Sequence, residues 1–322
     1  MKTLWAKRSG QGWARPFAGT VLLFLGLSLI LGSPSPARPE PKAALHLPRT
    51  GAAREVALFS LLTDGRKAAS FIRENLSAED DRQKLFALSL AVEMGRSDSG
   101  PAIMDLLDDP NPRIRRRAAL SLGRLGYEPA RLPLEQRLAG RPAPPLARAL
   151  ICGLGLLGRV ESIPALLPWL GHPDPLVGVD AAGVLGALGE SQGLDLVLAG
   201  SRDPDPHVRL EAIYGLRFFR SAEAEARLGE LASSPEELWR DEAGVSLAAG
   251  RLSRLKDDPE RQAVFLSRLL DVPSRMIRRW AMGELSRLNT AKALEILRTR
   301  AEEPTRLGRL ALRKLLSKGF AP

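Results

Sequence analysis

The sequence predicts an all-α solenoid, a stack of about seven to eight two-helix units in which each unit buries its apolar face against the next. Three observations predict it. A small apolar residue returns at Ala87, Ala118, Leu150, Ala181, Ala212, Ala243, Ala281 and Ala311, at spacings of 31, 32, 31, 31, 31, 38 and 30 residues. The 322 residues include 58 Leu but only 16 aromatics, which favours Leu/Ala-rich helices over aromatic-rich strands. Helix start and stop signals recur at the same period.

The first element is an address. Residues 1–16 carry Lys2, Lys7, Arg8 and Arg15 and no acid, and Phe17 to Leu31 then run fifteen residues without a charge. This reads as a signal peptide over 1–37, with Ser35-Pro36-Ala37 offering small residues for cleavage, or as an N-terminal membrane anchor. The apolar run falls short of the roughly 20 residues of a spanning helix. No cysteine follows it, so the sequence offers no site for a lipidated N-terminus. Residues 38–51 form a Pro-rich linker, semi-rigid in character. The solenoid occupies 52–322, with 52–75 capping one end and the unit 290–316 the other.

Within each unit the second helix carries an apolar stripe such as Ile114, Ala118, Leu122 and Leu125. The first helix is shorter, with a stripe such as Ala224, Leu228 and Leu231. Helix starts are marked by a cap followed by proline at Asn111-Pro112, Asp174-Pro175, Asp205-Pro206, Ser234-Pro235 and Asp258-Pro259. A short polar side chain caps free N–H groups there, and proline suits the first helical turn. Ser234 with Glu237 forms a capping box. Gly126, Gly158 and Gly189 mark helix ends. Gly153, Gly155, Gly183 and Gly186 fall inside second helices, where they allow close helix approach at some cost in helicity. The long 38-residue interval reflects an insertion around Arg254–Pro259.

The run Asp203-Pro204-Asp205-Pro206-His207-Val208-Arg209-Leu210-Glu211-Ala212 resembles the signature of the short HEAT repeats of phycobilisome lyases, and the resemblance spans about residues 80–316. It implies a right-handed superhelix of HEAT-like repeats. It also implies that Arg115, Arg209, Arg240 and Arg278 form a ladder with aspartates such as Asp109, Asp174 and Asp203, tying each unit to its neighbour; an acidic partner is the other use for these arginines. Ala147 and Gly178 replace the arginine in two units, which predicts looser stacking there or free neighbouring aspartates.

The chemistry-bearing residues are few. One cysteine excludes an intrachain disulfide and a multi-cysteine zinc site, and Cys152 reads as a buried thiol. Asp203, Asp205 and His207 alternate in one loop, as do His172 and Asp174, but they read as caps and not as a metal site. No P-loop, G-x-S-x-G or H-E-x-x-H occurs. The expectation is therefore no catalysis, no cofactor and no metal.

Charge is uneven. Lys+Arg exceed Asp+Glu by 47 to 37, four of the basic residues belong to the leader, and residues 272–322 alone hold twelve basic against four acidic. Arg275, Arg278, Arg279, Arg309, Arg313 and Lys314 are the candidate partner-binding residues at this basic end, facing an acidic protein or an anionic membrane surface. Trp280 beside Arg279 reads as core or groove edge. These readings converge on an exported or membrane-tethered scaffold that binds a protein partner, periplasmic, secreted, or anchored in an inner membrane with its repeats outward. The alternatives are a chromophore lyase or isomerase, implied by the resemblance alone, and an electrostatic membrane-surface binder. Nucleic acid is not an expected partner, because export conflicts with it.

Overall fold

The computed structural model describes residues 65–317, and the leader and linker of the sequence reading lie outside them. Among the described residues there are sixteen α-helices and no strand. They fall into eight consecutive pairs. The first four pairs are α1 (Gly65–Leu76) with α2 (Asp81–Glu93), α3 (Gly100–Asp105) with α4 (Pro112–Arg124), α5 (Arg131–Ala139) with α6 (Pro144–Leu157), and α7 (Ile163–Leu166) with α8 (Pro175–Ala187). The last four are α9 (Leu194–Gly200) with α10 (Pro206–Leu216), α11 (Ala222–Ala232) with α12 (Glu237–Arg254), α13 (Pro259–Leu269) with α14 (Arg275–Leu285), and α15 (Ala291–Ala301) with α16 (Arg306–Ser317). Short 3₁₀ turns flank α3 and α7, so these first helices are the shortest of the set.

All eight anchor positions lie in second helices, and all are fully buried. The chain divides into two compact bodies at Val177–Gly178, within α8. In the first body α2 packs on α4 and α4 on α6, with α3 and α5 backing α4 and α6. In the second, α10, α12, α14 and α16 pack in succession, and each is backed by its own first helix. Small anchors make this possible: alanine lets neighbouring helix backbones approach while still burying its methyl group. The arrangement is that of a HEAT-repeat solenoid.

Close approach is tightest at α4–α6. A Cβ on Gly153 would lie 2.8 Å from the Ala119 carbonyl oxygen, and one on Gly123 would lie 2.5 Å from that of Gly153. Gly183 sits against the Gly215 Cα, 3.3 Å from where its Cβ would be, and Gly186 lies under the Phe219 ring. Gly153, Gly183 and Gly186 thus serve close packing, as their placement predicts. Of the two outcomes expected for the Ala147 unit, looser stacking is not seen against α4, where α6, which carries Ala147, makes this close approach.

The start signals hold with one correction. Asn111, Asp174, Asp205 and Asp258 each accept a backbone N–H of the following turn at 2.8–3.0 Å. Ser234, in contrast, does not cap α12, which begins three residues later with Glu236 at the N-cap and no capping box. Ser234 Oγ instead accepts the Glu236 N–H at 3.2 Å, extending the loop. Gly126, Gly158 and Gly189 end helices at positive φ, as does Gly95. Residues 255–258 of the predicted insertion form the turn between α12 and α13, and the added length lies before them: α12 continues eleven residues past its anchor Ala243 to Arg254, against four past Ala212 in α10.

Candidate partner-binding surface

The arginines that open the second helices turn back onto their own units. Arg115 Nη1 donates to the carbonyls of Asp109 and Pro110 at 2.7 and 2.9 Å, and Arg278 Nη1 to those of Val272 and Pro273, both at 2.7 Å. Arg209 Nε reaches the Asp203 carbonyl at 3.0 Å, and Arg240 Nη1 reaches Ser234 and Pro235 at 3.4 and 3.3 Å. Each reaches six residues back, and three also reach five. The X-Pro loops expose carbonyls that no nearby N–H can satisfy, because proline lacks a donor. The guanidinium supplies the missing donors. The aspartates act locally too. Asp109 accepts the Asn111 N–H and Asp203 the Asp205 N–H, both at 2.8 Å; His172 Nδ1 does the same for Asp174 at 3.0 Å.

Ties between units are carried by other residues. Arg137 pairs with Asp108, Arg300 with Asp271 at 2.7 Å, and Arg227 with the hydroxyl and carbonyl of Ser201 at 2.8 and 2.9 Å. Each guanidinium sits at the C-terminal end of the preceding first helix, where the helix dipole favours a cation. In the second-helix layer, Lys84 reaches buried Asp109 at 2.6 Å, Arg117 donates to Ser89 and Arg217 to Ser246, both at 2.9 Å. The predicted ladder of signature arginines with Asp109, Asp174 and Asp203 is not formed: those arginines bind carbonyls of their own units, and of the three aspartates Asp109 is tied to the preceding unit, by Lys84.

The loop residues considered for metal binding use their acceptors on backbone N–H groups. Among the described residues no group of three or more His, Cys, Asp or Glu is placed to hold an ion. Cys152 is half-buried. At the basic end, Arg275, Arg279, Arg309 and Arg313 are exposed on α14 and α16, whereas Lys314 is half-buried and Arg278 is the loop clamp just described.

Buried polar atoms without a hydrogen-bond partner also lie elsewhere, on α10, α12 and α14. Arg217 lies 3.9 Å over the Tyr214 ring, and Tyr214 meets Phe218 edge to face at 5.5 Å. Burial pushes the Arg217 guanidinium below its usual range, and its Nε has no partner. Glu242 is only 4% exposed, and its Oε1 is likewise unpartnered. Burial raises its carboxyl to about 7; Arg217 opposes the shift, while Asp241 and Glu211 add to it. On α12 Trp239 carries Arg209 at 4.9 Å over its ring and donates to Glu236 at 2.6 Å. Trp280, buried as core, keeps an unpartnered Nε1. None of these stands out as a site from the sequence except Arg209, and that for another role. The signal available was register: Glu211, Glu242 and Trp280 all stand one residue before a buried anchor.

Two overlapping stretches, residues 69–149 and 132–204, match the family of HEAT repeats. The chain carries HEAT repeats. Among solved structures, the complex of CpcE and CpcF of phycocyanin lyase from Nostoc is similar, at 17% identity over 82% of this chain and 98% of that one, with a TM-score of 0.51. That likeness is one of HEAT-like fold. Human deoxyhypusine hydroxylase in complex with glycerol aligns at 18% identity over 82% and 98% of the two chains, with a TM-score of 0.36. An engineered protein aligns at 13% over 84% and 86%, with a TM-score of 0.38. No curated protein sequence matches this chain. Beyond the matched stretches, the HEAT-type pairing of helices continues through α16.

Proposed function

We propose that this HEAT-repeat chain is a non-catalytic scaffold that holds a protein partner on its second helices, outside the cytoplasm, either released by cleavage or tethered by its N-terminal apolar segment. The observation that carries the reading is the surface of α10, α12 and α14, where half-buried aromatic and charged side chains surround polar atoms that the fold leaves unspent. HEAT repeats present such surfaces for protein binding. The basic N-terminal residues and the fifteen-residue apolar run support export. None of the described helices is long and apolar enough to cross a membrane.

Site-specific photocrosslinking in cells tests the reading. A benzophenone side chain at Tyr214 or Phe218 is expected to capture one common protein; the same group at Leu132 or Val264, exposed on first helices, is expected to capture none. Capture at first-helix positions only, or at none of the four, would remove the assignment. Fractionating the same cells and reading the N-terminal peptide tests the location. A chain beginning near Arg38, or one retaining residues 17–31 in the membrane fraction, fits the proposal, and an intact chain in the cytoplasm overturns it. A coloured, tetrapyrrole-bearing product on coexpression with a phycobiliprotein would overturn the non-catalytic part.

A further inference from the structure

Five arginines on α14 and α16 stand in solvent without a counter-ion. Arg275 and Arg279 lie one turn apart on α14, and Arg306, Arg309 and Arg313 follow one another at intervals of three and four along α16, so each set shares one face of its helix. All five are exposed, and among the described residues none pairs with a carboxylate. The acids around them are already paired: Glu284 with Arg287, Glu295 with Lys292 at 2.9 Å, and Glu303 and Asp271 with Arg300 at 2.9 and 2.7 Å. Within residues 275–317 that leaves Glu302, one carboxylate against five guanidinium groups. Arg275 and Arg306 also open their helices, where the dipole disfavours a cation, and no acid accompanies them in either first turn. Arg278, the loop clamp, and half-buried Lys314 stand apart from this set. From this geometry we infer that α14 and α16 receive an acidic segment of the protein partner, rich in Asp or Glu. The inference rests on the scaffold reading and names the chemistry of the partner.

Packing sets the spacing of the carboxylates. α14 packs on α16, and Arg279 and Arg309 each stand two residues before a buried anchor, Ala281 and Ala311. Packed helix axes lie about 8–10 Å apart, and an extended chain advances about 3.3 Å per residue. A segment crossing both helices thus brings every third side chain over an arginine. The planar guanidinium fork accepts a carboxylate through two parallel hydrogen bonds. Five like charges without counter-ions repel one another, and an acidic segment relieves that repulsion where a basic one would add to it. A lipid surface is held most firmly by helices that add inserted apolar side chains to their charge. The exposed large apolar side chains among the described residues are Leu132, Val160, Leu238 and Val264, none of them on α14 or α16. Because α14 also belongs to the surface proposed to hold the partner, the acidic segment continues along the same layer of second helices.

The test uses the purified full chain and two fluorescein-labelled dodecapeptides, one with Glu at every third position among Gly and Ser, the other with Lys in those places. Fluorescence anisotropy at about 50 mM salt is expected to detect the acidic peptide and not the basic one, and about 200 mM salt to weaken the binding by screening. Arg279→Ala with Arg309→Ala is expected to weaken it about tenfold or more. Arg279→Lys with Arg309→Lys is expected to restore part of the loss, since the charge returns without the fork. Arg261→Ala, on the first helix α13 where this arginine already pairs with Asp258 at 3.2 Å, is expected to change nothing. Unchanged affinity in the double alanine variant, with normal helicity by circular dichroism, would overturn the inference, as would equal binding of the basic peptide. Should that variant fail to fold, Arg275→Ala with Arg313→Ala carries the same test. Vesicles of phosphatidylcholine and phosphatidylglycerol in equal parts are the competing probe. If the parent chain binds them, the double variant does not, and the acidic peptide goes unbound, the occupant is a lipid surface and the inference falls. Photocrosslinks that persist at Tyr214 while the acidic peptide fails to bind would sink the acidic-segment inference and leave the scaffold reading standing.

Discussion

Glu242 is buried beside two other acids and one arginine, and its ionisation works against the fold. Its carboxyl rises from 4.5 to about 7, mainly through burial, so between those values the folded chain holds a proton that the unfolded chain has released. The contribution to stability is therefore complete below the unfolded value and is lost as pH climbs through 7. Each tenfold difference in proton affinity between the folded and unfolded chains is worth about 1.4 kcal/mol, so the loss is on the order of 3 kcal/mol. The melting temperature of the parent chain is expected to fall between pH 5 and 8, and that of Glu242→Gln to stay nearly level over the same range. A parallel decline in both chains would show that Glu242 is not the group responsible. The sequence does not single out this residue, because an Asp-Glu pair in the first turns of an amphipathic helix ordinarily faces water. The arginines at 275, 279, 309 and 313 are legible instead, because exposed charge is visible in composition without any knowledge of packing.

Among the helices and their loops, two devices repeat, and each allows a paired comparison. The arginine clamp ties the loop before α4, α10, α12 and α14 to that helix's own first turns. Arg115→Ala or Arg278→Ala is expected to cost about 1–2 kcal/mol in chemical denaturation, the range for hydrogen bonds to a charged group at a partly exposed site. Lysine in either position is expected to recover only part of it, since its compact ammonium is more strongly hydrated and sits on a flexible stem. The sequence locates these arginines but misleads about their targets: a repeated Arg and a repeated Asp look like partners, whereas the acceptors are backbone carbonyls, which no sequence displays. The glycines form the second pair. Gly153→Ala is expected to destabilise by about 1–3 kcal/mol through overpacking against the Ala119 carbonyl. Gly229→Ala, in α11 with nothing within 4 Å of the new methyl, is expected to stabilise by about 0.5–1 kcal/mol through helix propensity. Equal effects at the two sites would refute the close-packing account.

For the whole molecule, the eight buried anchors explain why the architecture is legible in one dimension. Every unit buries one apolar anchor, alanine in seven of eight, so the same constraint is written eight times at nearly one period. Partner chemistry is written once, on a few side chains whose neighbours come from other units, and periodicity along the chain does not report it. Local stability is expected to follow burial along the chain. In α6 nine of fourteen residues are buried, whereas in α15 only Ala293 and Leu297 are. Native-state hydrogen exchange is therefore expected to be slowest in α6 and fast in α15, where little apolar contact opposes local opening. Uniform protection across both would contradict a stack held by nearest-neighbour contacts.

The overlong α12 reaches back to its own first helix. Its tail runs seven residues further past the anchor than that of α10, and Arg251 and Arg254 near its end both reach Glu225 of α11, at 3.0 and 2.7 Å. At about 100° per residue, seven residues turn a helix through almost two whole revolutions and leave its facing direction nearly unrotated, by about 20°. The tail thus lengthens the grip of α12 on its own first helix, so one long member is held within its unit by ion pairs that a shorter second helix cannot reach.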